Sequence, residues 1–172
     1  MKVKPDAFLC LFSGDSMERA FHQMIYLEIS VTKRPDGRVR SYLSCTDSNG
    51  LGVCEISDTL LGFISNLTQK ELELFSKLLL NPADRSPLES NAPDWSLDDT
   101  EVWIGRPPAQ NGMVCVSNGL TPYCLEENGE QYFTTEQVVQ AVDLWARHTK
   151  EATEIDVPEA LGTVARVPMV GT

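Results

Sequence analysis

The stretch Glu127–Thr149, ENGEQYFTTEQVVQAVDLWARHT, decides the fold class because its hydrophobic period changes once, at Thr134. Asn128-Gly129 is turn chemistry, and a short strand follows it. Thr134 is a suitable N-cap, Gln137 stands three residues on to reach back to it, and Glu136 suits the positive end of a helix. Val138, Ala141, Val142 and Trp145 then recur at i, i+3, i+4 and i+7, one apolar helical face. Arg147, His148 and Lys150 gather where the helix ends, and cations are favoured there. The segment holds no catalytic pattern. It reads as scaffold, a strand, turn and helix that dock Trp145 into a core.

Working outward, the first half repeats that order. Ile25, Leu27, Ile29 and Val31 alternate with polar residues, RPDGR turns the chain, and VRSYLSC resumes the alternation. Ile25–Cys45 is therefore read as a β-hairpin, with a third short strand in LGVCEI, Leu51–Ile56. Ser57–Ser65, SDTLLGFIS, reads as strand end and turn. Thr68 and Glu71 then have capping-box spacing, and Leu72, Phe75, Leu78 and Leu79 share a helical face with Leu74 at its edge. Asn81-Pro82 stops this helix. A short helix is also expected at Gly14–Gln23, opened by Asp15 and Glu18. TEVWIGRP, GMVCVSNG and the chain leading to Thr134 supply three or four more strands. The expected fold is α+β: a mainly antiparallel sheet with two main helices packed on one face, in one domain over residues 1–157. Residues 158–172 form a C-terminal tail or an edge strand.

Between the second helix and the later strands lies Asn81–Thr100, NPADRSPLESNAPDWSLDDT, which reads as a long loop. Trp95 stands in it beside Asp94 and near Asp98, Asp99 and Glu101. Two readings are open: the indole is a binding anchor ringed by carboxylates, or it folds back and pins the loop to the core.

The chain has 172 residues, 25 acidic and 14 basic, a net charge of −11 and a pI near 4.5. Such a charge repels nucleic acid and anionic membranes and favours a basic partner. The N-terminal stretch MKVKPDAFLCLFSGDS has too short an apolar run for a signal sequence, so a cytoplasmic location is expected. Five cysteines at irregular spacing make no CxxC pair, and two histidines lie far apart, so no metal or cofactor is implied. No nucleophile elbow, P-loop or dinucleotide fingerprint occurs. The doublets Asp98-Asp99 and Glu126-Glu127 point apart on a strand and make poor acid–base pairs. One basic cluster exists, KRPDGRVR at the hairpin tip. It could touch phosphate or balance local acidity.

The segment Cys124–Leu161, CLEENGEQYFTTEQVVQAVDLWARHTKEATEIDVPEAL, resembles the immunity proteins of polymorphic toxin systems, in particular the family that neutralises secreted deaminase toxins. An acidic strand pair, a capped TEQ turn, an amphipathic helix and a following proline carry the resemblance. It implies a small non-enzymatic protein that binds a basic partner, a secreted toxin domain, and occludes its active site. It carries no site residue across. From their loop or strand-end positions, the expected contacts are Asp94, Trp95, Asp98, Asp99 and Glu101, with Glu126, Glu127 and Glu130 as a second acidic edge. Two other classes fit the same chain: a DNA-mimicking inhibitor of a nuclease-based defence system, and a small enzyme using Cys45, Cys54 or Cys124.

Overall fold

Each element forms where local sequence and burial agree. In the computed structural model the described residues are 24–49, 51, 56–84, 92–118, 130–152 and 161–171. The hairpin consists of β1 (Tyr26–Lys33) and β2 (Val39–Thr46), paired from Tyr26–Thr46 to Lys33–Val39. Leu27, Ile29 and Val31 are buried while the residues between them face outward. Gly37 takes φ 82° in the turn, a conformation that side-chain-bearing residues resist.

Helix α1 (Ile56–Asn66) was not expected. Ser57–Ser65 reads as strand end and turn because a dense apolar run interrupted by Gly62 hides its period. In three dimensions Leu60, Leu61, Phe63 and Ile64 are all buried, and Gly62 faces out. Ile56 belongs to this helix rather than to a third strand, and residues 52–55 lie outside the described ones. Helix α2 (Gln69–Leu80) realises its capping box: Glu71 N donates to Thr68 Oγ1, and Thr68 N donates to Glu71 Oε2 at 2.7 Å. It buries Leu72, Phe75 and Leu79, half-buries Leu78 and leaves Leu74 exposed.

The segment Asn81–Thr100 is not wholly loop. A 3-10 turn covers Pro82–Asp84, and β3 (Trp95–Leu97) pairs with β4 (Thr100–Ile104) through the two-residue turn Asp98-Asp99. Asp98 adopts φ 50°, which aspartate tolerates better than most residues. Strands β5 (Met113–Asn118) and β6 (Glu130–Thr134) follow, then α3 (Thr135–Ala152). The junction before α3 is the one expected: Gln137 N donates to Thr134 Oγ1 at 3.2 Å, and Thr134 N donates to Gln137 Oε1 at 3.0 Å. The short helix expected at Gly14–Gln23 lies outside the described residues.

The class is α+β, but the described strands form two antiparallel sheets rather than one, and the described helices number three rather than two. The first sheet has the order β2-β1-β7 and the second β3-β4-β5-β6. Strand β7 (Gly162–Pro168) lies at one edge of the first sheet, antiparallel to β1. Its end is fastened: Met169 is buried, Gln140 Nε2 donates to Pro168 O at 2.7 Å, and Gln137 Nε2 donates to Val170 O at 3.1 Å. The helices do not cover one face of one sheet. Helix α1 touches β2 and β5, and α3 touches β5, β6 and α2. One apolar core joins Leu27, Ile29 and Leu43 of the first sheet to Val102, Ile104, Val114 and Phe133 of the second through all three helices. No helix among the described residues is long and apolar enough to cross a membrane.

Candidate binding surface

The pleat of the second sheet sorts its side chains into two sets. Val102, Ile104, Val114, Val116 and Phe133 enter the core. The residues between them face the other way. On that outer face, register places Ser96, Glu101, Ser117 and Glu130 in one cross-strand row, and Trp103, Cys115 and Tyr132 in the next. Strands in a sheet lie about 4.8 Å apart, so the backbones of Glu101 and Glu130 stand about 10 Å apart with Ser117 between them. Glu101 is exposed and Glu130 half-buried. Asp98 and Asp99 are exposed at the β3–β4 turn, beside the same end of the sheet.

The fold thus brings Asp98, Asp99, Glu101 and Glu130 to one end of one sheet, joining residues from both expected acidic edges. Glu126 and Glu127 lie outside the described residues. Asp94 and Trp95 turn inward. The Asp94 side chain is 0% exposed; its Oδ2 accepts Ile104 N at 2.7 Å and Arg106 Nε at 3.0 Å. The Arg106 guanidinium also donates to Ala92 O. Burial at this depth keeps the Asp94 carboxylate from meeting a partner directly. Trp95 packs edge-on to Phe75 at 5.6 Å, and Phe75 to Phe63 at 5.2 Å. Of the two readings of Trp95, pinning describes its placement, although the indole stays half-buried.

Trp103 and Tyr132 were not singled out in the sequence, although the alternation of Glu101, Val102, Trp103 and Ile104 sets Glu101 and Trp103 on one face. Tyr132 donates its hydroxyl to Glu130 Oε2 at 2.5 Å, which holds that carboxylate in place. Burial first, and then this bond to Glu130, push the Tyr132 hydroxyl well above its ordinary range. Burial and the Glu130 charge push the Cys115 thiol up to about 12, against a smaller opposing effect of Tyr132.

These shifts bear on catalysis. A thiol with that pKa is almost wholly protonated at neutral pH and is a poor nucleophile. Cys45 is buried too, while Cys54 and Cys124 lie outside the described residues. Brief exposure of the native protein to N-ethylmaleimide should leave Cys45 and Cys115 unmodified in peptide mass spectrometry. Rapid modification of Cys115 would show that the outer face opens and exposes a reactive thiol. Among the described residues no three His, Cys, Asp or Glu side chains are grouped to hold a metal ion. His148 Nε2 meets Ser41 Oγ at 2.7 Å, and its ring lies 5.6 Å from that of Trp145. Ser41 sits mid-strand on the core-facing side of β2, so this contact ties α3 to the first sheet. Comparison of the chain with family models, with curated proteins and with solved structures finds no match.

Proposed function

We propose that this protein acts by binding: it is an acidic immunity protein that occupies the active site of a basic effector enzyme, a bacterial toxin domain. The observation that carries this reading is the gathering of Asp98, Asp99, Glu101 and Glu130 at one end of the second sheet, in a chain of net charge −11. The resemblance of Cys124–Leu161 to the immunity proteins of deaminase toxins supports the same conclusion. Toxins that act on nucleic acid or nucleotides need positive clefts for phosphate, and a row of carboxylates on a rigid sheet complements such a cleft. Complementary charge raises the encounter rate, which matters for an inhibitor that must act before damage is done. Charge alone seldom gives tight binding. Trp103 and Tyr132, half-buried in the adjoining row, are the aromatic side chains placed to supply desolvated contacts.

The purified protein should form a complex at micromolar concentration or below with the toxin-like product of the gene beside its own. Its expression should also rescue cells that produce that toxin. Failure of both would remove this reading. Binding should weaken as ionic strength rises, chiefly through the association rate.

A further inference from the structure

The basic tip of the β1–β2 hairpin is not absorbed by an acidic inhibitor surface. Residues 33–40 hold four basic side chains and one acid, Asp36, in a chain with only 14 basic residues. Asp36 accepts Arg38 N at 2.9 Å and lies 3.9 Å from Arg38 Nε, both side chains being largely exposed. Such a pair neutralises little. Lys33, Arg34 and Arg40 have no ion pair among the described residues. Register places Arg40 beside Thr32, and Tyr42 beside Ser30, on the side of β1 and β2 away from the core. Tyr42 is 40% exposed, and the Arg34 guanidinium beside it holds its hydroxyl below the ordinary phenol range. Among the described residues the one acid on this face, Glu28, is engaged by the hydroxyls of Thr46 and Thr163 and faces Arg166.

We infer that this face binds single-stranded nucleic acid, with Tyr42 stacking on a base while Arg34, Arg38 and Arg40 take the flanking phosphates. The side-chain chemistry favours that ligand over an acidic protein. A protein interface needs a desolvated apolar centre, and the outer positions of β1 and β2 carry hydroxyl, arginine and tyrosine side chains and Glu28, without one aliphatic residue. Base stacking and phosphate contact need only an exposed ring and cations beside it. The charge of −11 does not forbid this. At physiological ionic strength a charge is screened beyond about 8 Å, so phosphates at the tip feel mainly the tip.

This inference goes beyond the inhibitor reading and is tested without the toxin. Fluorescence anisotropy of a labelled single-stranded oligonucleotide should show saturable binding to the full chain. Three phosphate contacts predict about a twentyfold loss of affinity between 50 and 200 mM salt. Tyr42→Ala should weaken binding about tenfold, Tyr42→Phe should restore most of it because the ring remains, and Arg40→Glu should abolish it. Both positions are exposed, so the variants should fold, and circular dichroism is the check. Absence of binding at 50 mM salt would overturn the inference, and so would indifference to Tyr42→Ala and Arg40→Glu. Equal binding of an acidic peptide or of anionic vesicles, lost in the same variants, would overturn it as well by assigning the face to another partner.

Discussion

Replacing Asp94 by alanine should lower the free energy of unfolding by about 3–5 kcal/mol, as loss of one member of a buried ion pair typically does. The carboxylate is fully enclosed, and Arg106 is only 15% exposed. Without Asp94, the guanidinium keeps its bond to Ala92 O but loses its counter-charge in a poorly solvated position. The N–H of Ile104 loses its acceptor as well. Domains of ordinary stability have about 5–15 kcal/mol in total, so the variant stands near the limit of folding at 37 °C. Urea denaturation followed by tryptophan fluorescence gives the value. Added salt should rescue little, because a buried pair is weakly screened. Asp94→Ala combined with Arg106→Met should be more stable than Asp94→Ala alone, since the double change removes the stranded charge. A loss below about 1 kcal/mol would show that the packing of Trp95 on Phe75 holds this hairpin without help from the pair.

The second large effect concerns the acidic end of the second sheet. A variant with Asp98→Asn, Asp99→Lys, Glu101→Lys and Glu130→Gln should lose affinity for a basic toxin partner by about a thousandfold. That corresponds to roughly 4 kcal/mol. Like charges set against each other at an interface cost several kcal/mol, and the steering that brings the partner in is lost too. The substitutions respect the fold. Asparagine suits the left-handed conformation at position 98, and glutamine at position 130 can still accept from the Tyr132 hydroxyl. Surface plasmon resonance separates the two contributions, because lost steering slows association while lost contacts hasten dissociation. A folded variant that binds and protects cells as the parent does would show that these carboxylates are not the binding surface.

Much of the architecture was legible because it rests on local signals. The alternation of Leu27, Ile29 and Val31, the capping pairs Thr68–Glu71 and Thr134–Gln137, and the face Val138–Ala141–Val142–Trp145 each name one structure in short range. Helix α1 was not legible, because Leu60, Leu61, Phe63 and Ile64 around Gly62 have the density of a buried strand. The separation of the strands into two sheets was not legible either. It depends on which strands meet across the core, and no local window records that. The candidate surface divided in the same way. Acidic positions were visible in the sequence, but the inward turn of Asp94 is set by Arg106 twelve residues away. The shared row of Glu101 and Glu130 exists only through their common neighbour Ser117 on β5.

The place of β7 carries a consequence for biosynthesis. Its partner strand β1 leaves the ribosome well over a hundred residues earlier, since Tyr26 pairs with Pro168 and Leu27 with Val167. Until Gly162–Pro168 emerge, the nascent hairpin offers one row of open backbone donors and acceptors, the kind of edge on which chains aggregate. Long-range closure of this type also slows folding. The chain should therefore depend on chaperone protection during translation, and premature termination ahead of Gly162 should yield an insoluble product rather than a shortened soluble chain.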